Sequence, residues 1–236
     1  MKFSLSLLPL LSLVAGQSVT VTSPKDGDSW DAKTPLKVTW SKQGFTDRHR
    51  WAQVTLVNTN DKGIKWEFDY VTSINDNSEF YLPSNAFING ANYKLKVGVF
   101  SDVPISTPVV GESGSFTITS GVDLDNFQEC GGEWKFTNLN SSEPWKGGLV
   151  SWVAPGKNTP INMMDVRVKS ANDATFSYTE IDKGAAGYQG GFYFYPELES
   201  GKQYYIEGLF HFNRRVTGAV PICKLKSEVF TYQRPW

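Results

Sequence analysis

The chain repeats itself. Set against itself at a displacement of 112 residues, Trp40 falls on Trp152, Gly44 on Gly156, Val54 on Val166, and Phe80-Tyr81-Leu82 on Phe192-Tyr193-Phe194. At one residue less, Gly90-Ala91-Asn92-Tyr93-Lys94-Leu95 falls on Gly201-Lys202-Gln203-Tyr204-Tyr205-Ile206, and at two more Phe116 meets Phe230. Coincidence does not hold a register this closely over most of a domain, so the chain reads as two related units, residues 18–119 and 122–236. The Thr119-Ser120-Gly121 junction between them is short, which argues against a freely swinging tandem.

Each unit alternates with a period of two. In the first, Val19 and Val21, then Leu36, Val38 and Trp40, then Ala52, Val54 and Leu56, then Ile64, Trp66, Phe68 and Tyr70, then Tyr93, Leu95, Val97 and Val99 share faces of successive runs. Turn clusters such as Pro24-Lys25-Asp26-Gly27-Asp28 and Asn60-Asp61-Lys62-Gly63 separate them. The second unit follows with Met164, Val166 and Val168, with Phe176 and Tyr178, and with Tyr204, Ile206 and Gly208. No amphipathic helical pattern is present. The expected fold is all-β: two tandem antiparallel β-sandwiches of immunoglobulin or fibronectin-III type.

Residues 1–16 stand apart. Lys2, the apolar stretch from Leu7 to Val14 and the small residues Ala15-Gly16 read as a signal peptide, so a secreted product is expected, extracellular or in the cell wall. No later stretch is apolar enough to span a bilayer, and the Thr231–Trp236 end lacks the apolar tail of a lipid-anchor signal. Cys130 and Cys223 suit an oxidising compartment, and a single disulfide is the default for two cysteines. It pins the start of the second unit to its closing strands; the first unit has no such staple. Asn140-Ser141-Ser142 marks Asn140 as an N-glycan acceptor. Lys+Arg of 23 against Asp+Glu of 24 argues against a nucleic-acid partner, which calls for a basic surface.

The first unit resembles the fungal Kre/Knh-type N-terminal domain of cell-wall proteins, also found in Ser/Thr-rich lipid-anchored surface proteins. The resemblance is carried by Val19-Thr20-Val21-Thr22-Ser23-Pro24, then Gly27 and Trp30, then Leu36-Lys37-Val38-Thr39-Trp40, with Phe80-Tyr81-Leu82-Pro83 and Tyr93-Lys94-Leu95-Lys96-Val97 further on. Asp31-Ala32-Lys33-Thr34 stands where the family usually has a Gly shortly after the first Trp. The second unit resembles the family only through the repeat. What the resemblance implies is a non-catalytic module connected with cell-wall β-glucan.

Catalytic chemistry finds no purchase. His49 lies in the charged run Asp47-Arg48-His49-Arg50 and His211 follows Phe210 near a strand end; two histidines without a third nitrogen ligand make no metal site. Gln17 or Ser18 at the mature start excludes the amino-terminal histidine of a copper monooxygenase. Asp123, Asp125, Glu129 and Glu133, and likewise Glu197 and Glu199, read as solvated turns rather than an acid–base pair across a cleft. Asp123-x-Asp125 lacks the Gly and bidentate Glu of a calcium loop, and no G-x-S-x-G is present. Arg214-Arg215 reads as an exposed loop pair. No enzyme activity, cofactor or metal is expected.

Aromatic residues are the better lead, because Trp and Tyr faces stack on the C–H faces of sugars. Trp40 and Trp152, at matched strand positions, read as core, as does Trp66. Trp51 falls on the outward face with Gln53 and Thr55. Trp145 in Pro144-Trp145-Lys146-Gly147-Gly148 and Tyr188 in Gly187-Tyr188-Gln189-Gly190-Gly191 sit in glycine-flanked contexts that suit either a ligand contact or a plug over a sandwich end. Trp51, Trp145 and Tyr188 are therefore the candidate ligand-binding residues. The expected function is a secreted, non-enzymatic cell-wall protein whose partner is a wall polysaccharide such as β-glucan. The alternative is a protein–protein interaction module, an effector or adhesion factor, that meets a wall or host surface protein.

Overall fold

In a computed structural model of the chain, residues 16–45, 51–72, 79–84, 87–100, 107–139, 142–156, 163–184, 189–212 and 220–235 are described. Residues 1–15 of the expected signal peptide, His49, Asn140, Tyr188 and Arg214-Arg215 lie outside them. The first half runs β1 (Ser18–Ser23), β2 (Ser29–Asp31), β3 (Leu36–Gln43), β4 (Trp51–Asn58), β5 (Lys65–Thr72), β6 (Glu79–Leu82), β7 (Gly90–Phe100), β8 (Val109–Glu112) and β9 (Phe116–Thr119). A 3-10 turn over Leu124–Asn126 follows, capped by the Asp123 carboxylate. The second half runs β10 (Lys135–Phe136), β11 (Gly148–Val153), β12 (Met163–Ser170), β13 (Ser177–Gly184), β14 (Gln189–Phe194), β15 (Gln203–Phe212), β16 (Val220–Lys226) and β17 (Phe230–Thr231).

Each half forms two facing sheets. In the first, β1-β3-β6 faces β2-β9-β7-β4-β5, with β8 also on β7; in the second, β10-β11-β14 faces β13-β12-β15-β16, with β17 also on β15. These are two tandem immunoglobulin/fibronectin-III-like sandwiches, and the strand order of the first recurs in the second. One pairing departs from the expected antiparallel plan: β2 lies parallel to β9, with Trp30 opposite Ile118.

The alternation seen in the sequence is the burial pattern. Ala52, Val54, Leu56, Tyr93, Leu95 and Val97 are fully buried in the first core, and Met164, Val166, Val168 and Ile206 in the second. Trp40 and Trp152 occupy matched core positions. The closing strand is broken in the same way in both halves. Ser113 Oγ accepts from Leu95 N–H at 2.9 Å and donates to Gly114 O; Ser227 Oγ accepts from Ile206 N–H at 2.9 Å and donates to Glu228 O. A hydroxyl thus replaces the lost ladder bond where β8 gives way to β9 and where β16 gives way to β17.

The two sandwiches are packed together. Gly121 N–H donates to Asn89 Oδ1 at 2.6 Å and Val122 N–H to Phe87 O at 2.7 Å, so the junction is tied to the first domain. A Cβ on Gly121 would lie 2.1 Å from Phe87 O, which restricts this position to glycine. Leu124 and Phe127 then join the first core, together with Leu209 from the outer face of β15. Across the boundary Asp61 Oδ1 accepts from Thr179 N–H and Asp61 Oδ2 from Thr179 Oγ1, both at 2.7 Å. The same outer face of β12 and β15 carries a buried ion cluster. Arg167 pairs with Glu207 at 2.7 Å and with Asp125 at 2.9 Å, and donates to Leu124 O; beside it His211 lies 3.5 Å from Asp165. Arg167 and Glu207 satisfy one another on this covered face, as burial demands, while both His211 ring nitrogens are buried without a hydrogen-bond partner.

The Cys130–Cys223 disulfide is formed. Cys130 N–H donates to Lys224 O and Lys224 N–H to Gln128 O, so the bond reinforces a parallel bridge between the first segment of the second domain and β16.

Candidate functional site

The outer face of the sheet β10-β11-β14 is where the second domain exposes its aromatics. Phe192 and Phe194 point into the core, so the alternation sends Tyr193 and Tyr195 outward. Tyr193 is 71% exposed and Tyr195 61%. Their ring planes are parallel within 3°, with centroids 6.4 Å apart. Leu149, directly opposite Tyr193 in register, is 44% exposed and adds an apolar shoulder. Tyr195 rests against Gly147, whose φ of +82° suits glycine and whose added Cβ would lie 2.9 Å from the Tyr195 ring. The turn thereby holds the tyrosine from below.

Further along the same face Ser151 lies opposite Gly191 and Val153 opposite Gln189. Thr137 and Ser151 share a 2.6 Å hydroxyl–hydroxyl hydrogen bond, and Asn138 satisfies the edge of β11 through Leu149 O and Ser151 N–H. Thr137, Ser151, Trp152, Val153, Gln189 and Gly190 line an open depression of about 500 Å³. A Cβ on Gly190 would sit 2.5 Å from the Trp152 ring, so glycine here makes room for the indole on the core side of the sheet. The Trp152 indole N–H is buried without a hydrogen-bond partner, as is that of Trp40.

The repeat shows what is particular to this face. In the first domain Thr22 and Thr39 share the corresponding hydroxyl contact at 2.7 Å, and Tyr81 stands where Tyr193 does. There, however, Lys37 occupies the place of Leu149 and Glu79 that of Gly191. Lys37 and Glu79 form a 2.7 Å ion pair, and the Lys37 ammonium sits 5.8 Å from the Tyr81 ring centroid. The Glu79 hydrogen bond and charge hold the Lys37 ammonium above its ordinary pKa. One face is closed by a charged pair, while the other is uncharged along Gly148–Val153 and Gln189–Phe194 and opened by a glycine.

The residues expected from sequence fare differently. Trp51 starts β4 opposite Phe100; its side chain lies outside the described residues, as does all of Tyr188. Trp145, expected in an exposed glycine-flanked context, is half-buried. Its ring lies 5.2 Å from that of Phe230 and 6.0 Å from that of Phe194, and its backbone bridges Tyr232 in parallel. That bridge matches Trp30 on Ile118, so Trp145 is the second domain's copy of a core tryptophan. Sequence reasoning missed Tyr193 and Tyr195 because Phe192-Tyr193-Phe194 serves there only to mark the register of the repeat. The alternation Phe-Tyr-Phe-Tyr over residues 192–195 held the signal, phenylalanines in and tyrosines out. Among the described residues no group of three or more His, Cys, Asp or Glu could hold a metal, and no helix is long and apolar enough to cross a membrane.

No protein-family model matches the chain, and no curated protein does. Among solved structures it is similar to the fibronectin(III)-like modules of Clostridium thermocellum CbhA, at 14% identity over 92% of this chain and 94% of that one, with a TM-score of 0.25. It is also similar to the FN1–FN3 domains of chicken CNTN1, at 15% identity over 88% of this chain and 64% of that one, with a TM-score of 0.27.

Proposed function

We propose that this is a secreted, non-catalytic binding protein of the fungal cell wall that holds a neutral wall polysaccharide of the β-glucan class on the outer face of its second domain. The observation that carries the reading is the Tyr193–Tyr195 pair, two exposed parallel rings beside two strands, β11 and β14, that carry no charge. Sugars present C–H faces to aromatic rings and hydroxyls to neighbouring polar groups, and this face offers both. The disulfide accords with an extracellular setting. The resemblance of the first domain to Kre/Knh-type modules supports the wall as the place of action.

The test is retention of the mature protein on insoluble β-glucan, chitin and intact walls, with soluble products analysed in the same tubes. Retention on β-glucan is expected, and Tyr193→Ala or Tyr195→Ala weakens it about tenfold, the worth of one aromatic contact. No retention on any wall polymer would replace this reading by the protein–protein one. Released oligosaccharides would overturn the non-catalytic claim.

A further inference from the structure

We propose that the site takes an internal stretch of a linear, uncharged glucan, laid along β14 from Tyr195 and Tyr193, over Gly191, to the hydroxyls of Thr137 and Ser151. The proposal rests on the reading of the two tyrosines as a sugar platform and extends it to the length and chemistry of the ligand.

The outward row on this strand and its continuation is Tyr195, Tyr193, Gly191 and Gln189. At about 3.3 Å per residue the row spans about 20 Å, room for several sugar rings in line. Gly191 is the low point of the path. It is exposed, it carries no side chain, and an added Cβ would be pressed to 3.0 Å from Val150 O. Beyond it the surface falls into the depression lined by Ser151, Thr137 and Gln189. Thr137 and Ser151 use one hydroxyl proton between them, which leaves the other for a ligand oxygen, and the Gln189 amide supplies both a donor and an acceptor. Among the described residues the depression is an open trough, which a polymer crosses as an internal stretch. No charged residue lies in the two strands under the path, Gly148–Val153 and Gln189–Phe194, and Lys135 stands only at its edge opposite Val153, which suits a ligand whose rings carry no charge. In the first domain the same path is blocked at the equivalent point by Glu79, held by Lys37.

The experiment is titration of the full mature protein with cello- and laminari-oligosaccharides from dimer to hexamer. Affinity is expected to rise with length by about tenfold or more from dimer to hexamer, as each added hydrogen bond contributes. In Thr137→Val/Ser151→Ala the hexamer affinity is expected to fall about tenfold and the length profile to flatten. Because the Thr137–Ser151 contact also ties β10 to β11, the milder Ser151→Ala is titrated alongside, with circular dichroism showing that each variant is folded. A wild-type profile already flat at the dimer overturns the extended path, as does an unchanged hexamer affinity in folded Ser151→Ala and the double variant. If the wild type binds neither oligomers nor insoluble polymer, the platform reading itself fails. Short-oligomer binding without a gain in length removes only the extension.

Discussion

Asp61 holds Thr179 with both carboxylate oxygens, one on the backbone N–H and one on the hydroxyl, each at 2.7 Å, across the boundary between the two sandwiches. Asp61 Oδ1 also accepts from Gly63 N–H at 3.3 Å, and the residue is only 7% exposed. A buried carboxylate satisfied by donors from the other domain is a coupling device, since separating the domains strips it of most of its partners.

Removing that contact is expected to uncouple the domains. Asp61→Ala should cost about 1–3 kcal/mol, the penalty for stranding buried donors. Gly63→Ala attacks the same seam by sterics, because its Cβ would stand 2.3 Å from Thr179 O. Scanning calorimetry should show one cooperative transition in the wild type and two resolved ones in either variant. A single unshifted transition in both would mean that Leu124, Phe127 and Leu209 hold the seam by themselves.

Exchanging the two copies of the outer face tests what distinguishes them. Leu149→Lys/Gly191→Glu places the first domain's ion pair on the second and should abolish retention on β-glucan. Lys37→Leu/Glu79→Ala uncovers Tyr81 and should raise it. Sedimentation with the insoluble polymer reads both, and a first exchange that leaves retention intact in a folded protein speaks against the tyrosine face as the site.

The disulfide closes a separation of 93 residues, for which the chain-entropy model gives about 4–5 kcal/mol. Cys130→Ser/Cys223→Ser should lower hydrogen-exchange protection in the second domain far more than in the first. Near-equal losses, monitored by hydrogen exchange in each domain, would show that the bond stabilises the interface rather than one sandwich.

Tyr178 carries a pH dependence of known sign. Burial, then the neighbouring Glu180 charge and its hydrogen bond, pushes the phenol up to about 12. A raised folded-state pKa means that the stabilisation is fully present below about pH 10, the unfolded value, and is lost as pH rises towards 12. Stability measured from pH 9 to 12 should fall over that window, and Tyr178→Phe should remove this component of the fall. A fall of the same size in Tyr178→Phe assigns it to other groups.

The sandwiches were legible because their strands alternate and repeat: Ala52, Val54 and Leu56 announce β4, and the match of Leu95 to Ile206 lands on two residues that form the same hydroxyl-mediated contact. Of the two roles the glycine-flanked context leaves open for Trp145, the packing on Phe230 and Phe194 is that of a plug, and the repeat does not reveal it at displacement 112 because its counterpart Trp30 lies 115 residues away. The interface carried no local signature at all. Asp61 and Thr179 are 118 residues apart, and neither stands in a pattern that marks a domain seam. Charged residues on an outer face, such as Arg167 and Glu207, read as solvent-exposed until a neighbouring domain covers them.

The seam lies on the outer face of β12 and β15, and the tyrosines lie on the outer face of the opposite sheet. The first domain therefore packs on the sheet opposite the aromatic one, and its seam uses none of the surface that carries Tyr193 and Tyr195. Two rings standing out from the far side of the molecule can rest against a solid far larger than the protein, such as the exposed layer of an insoluble fibre.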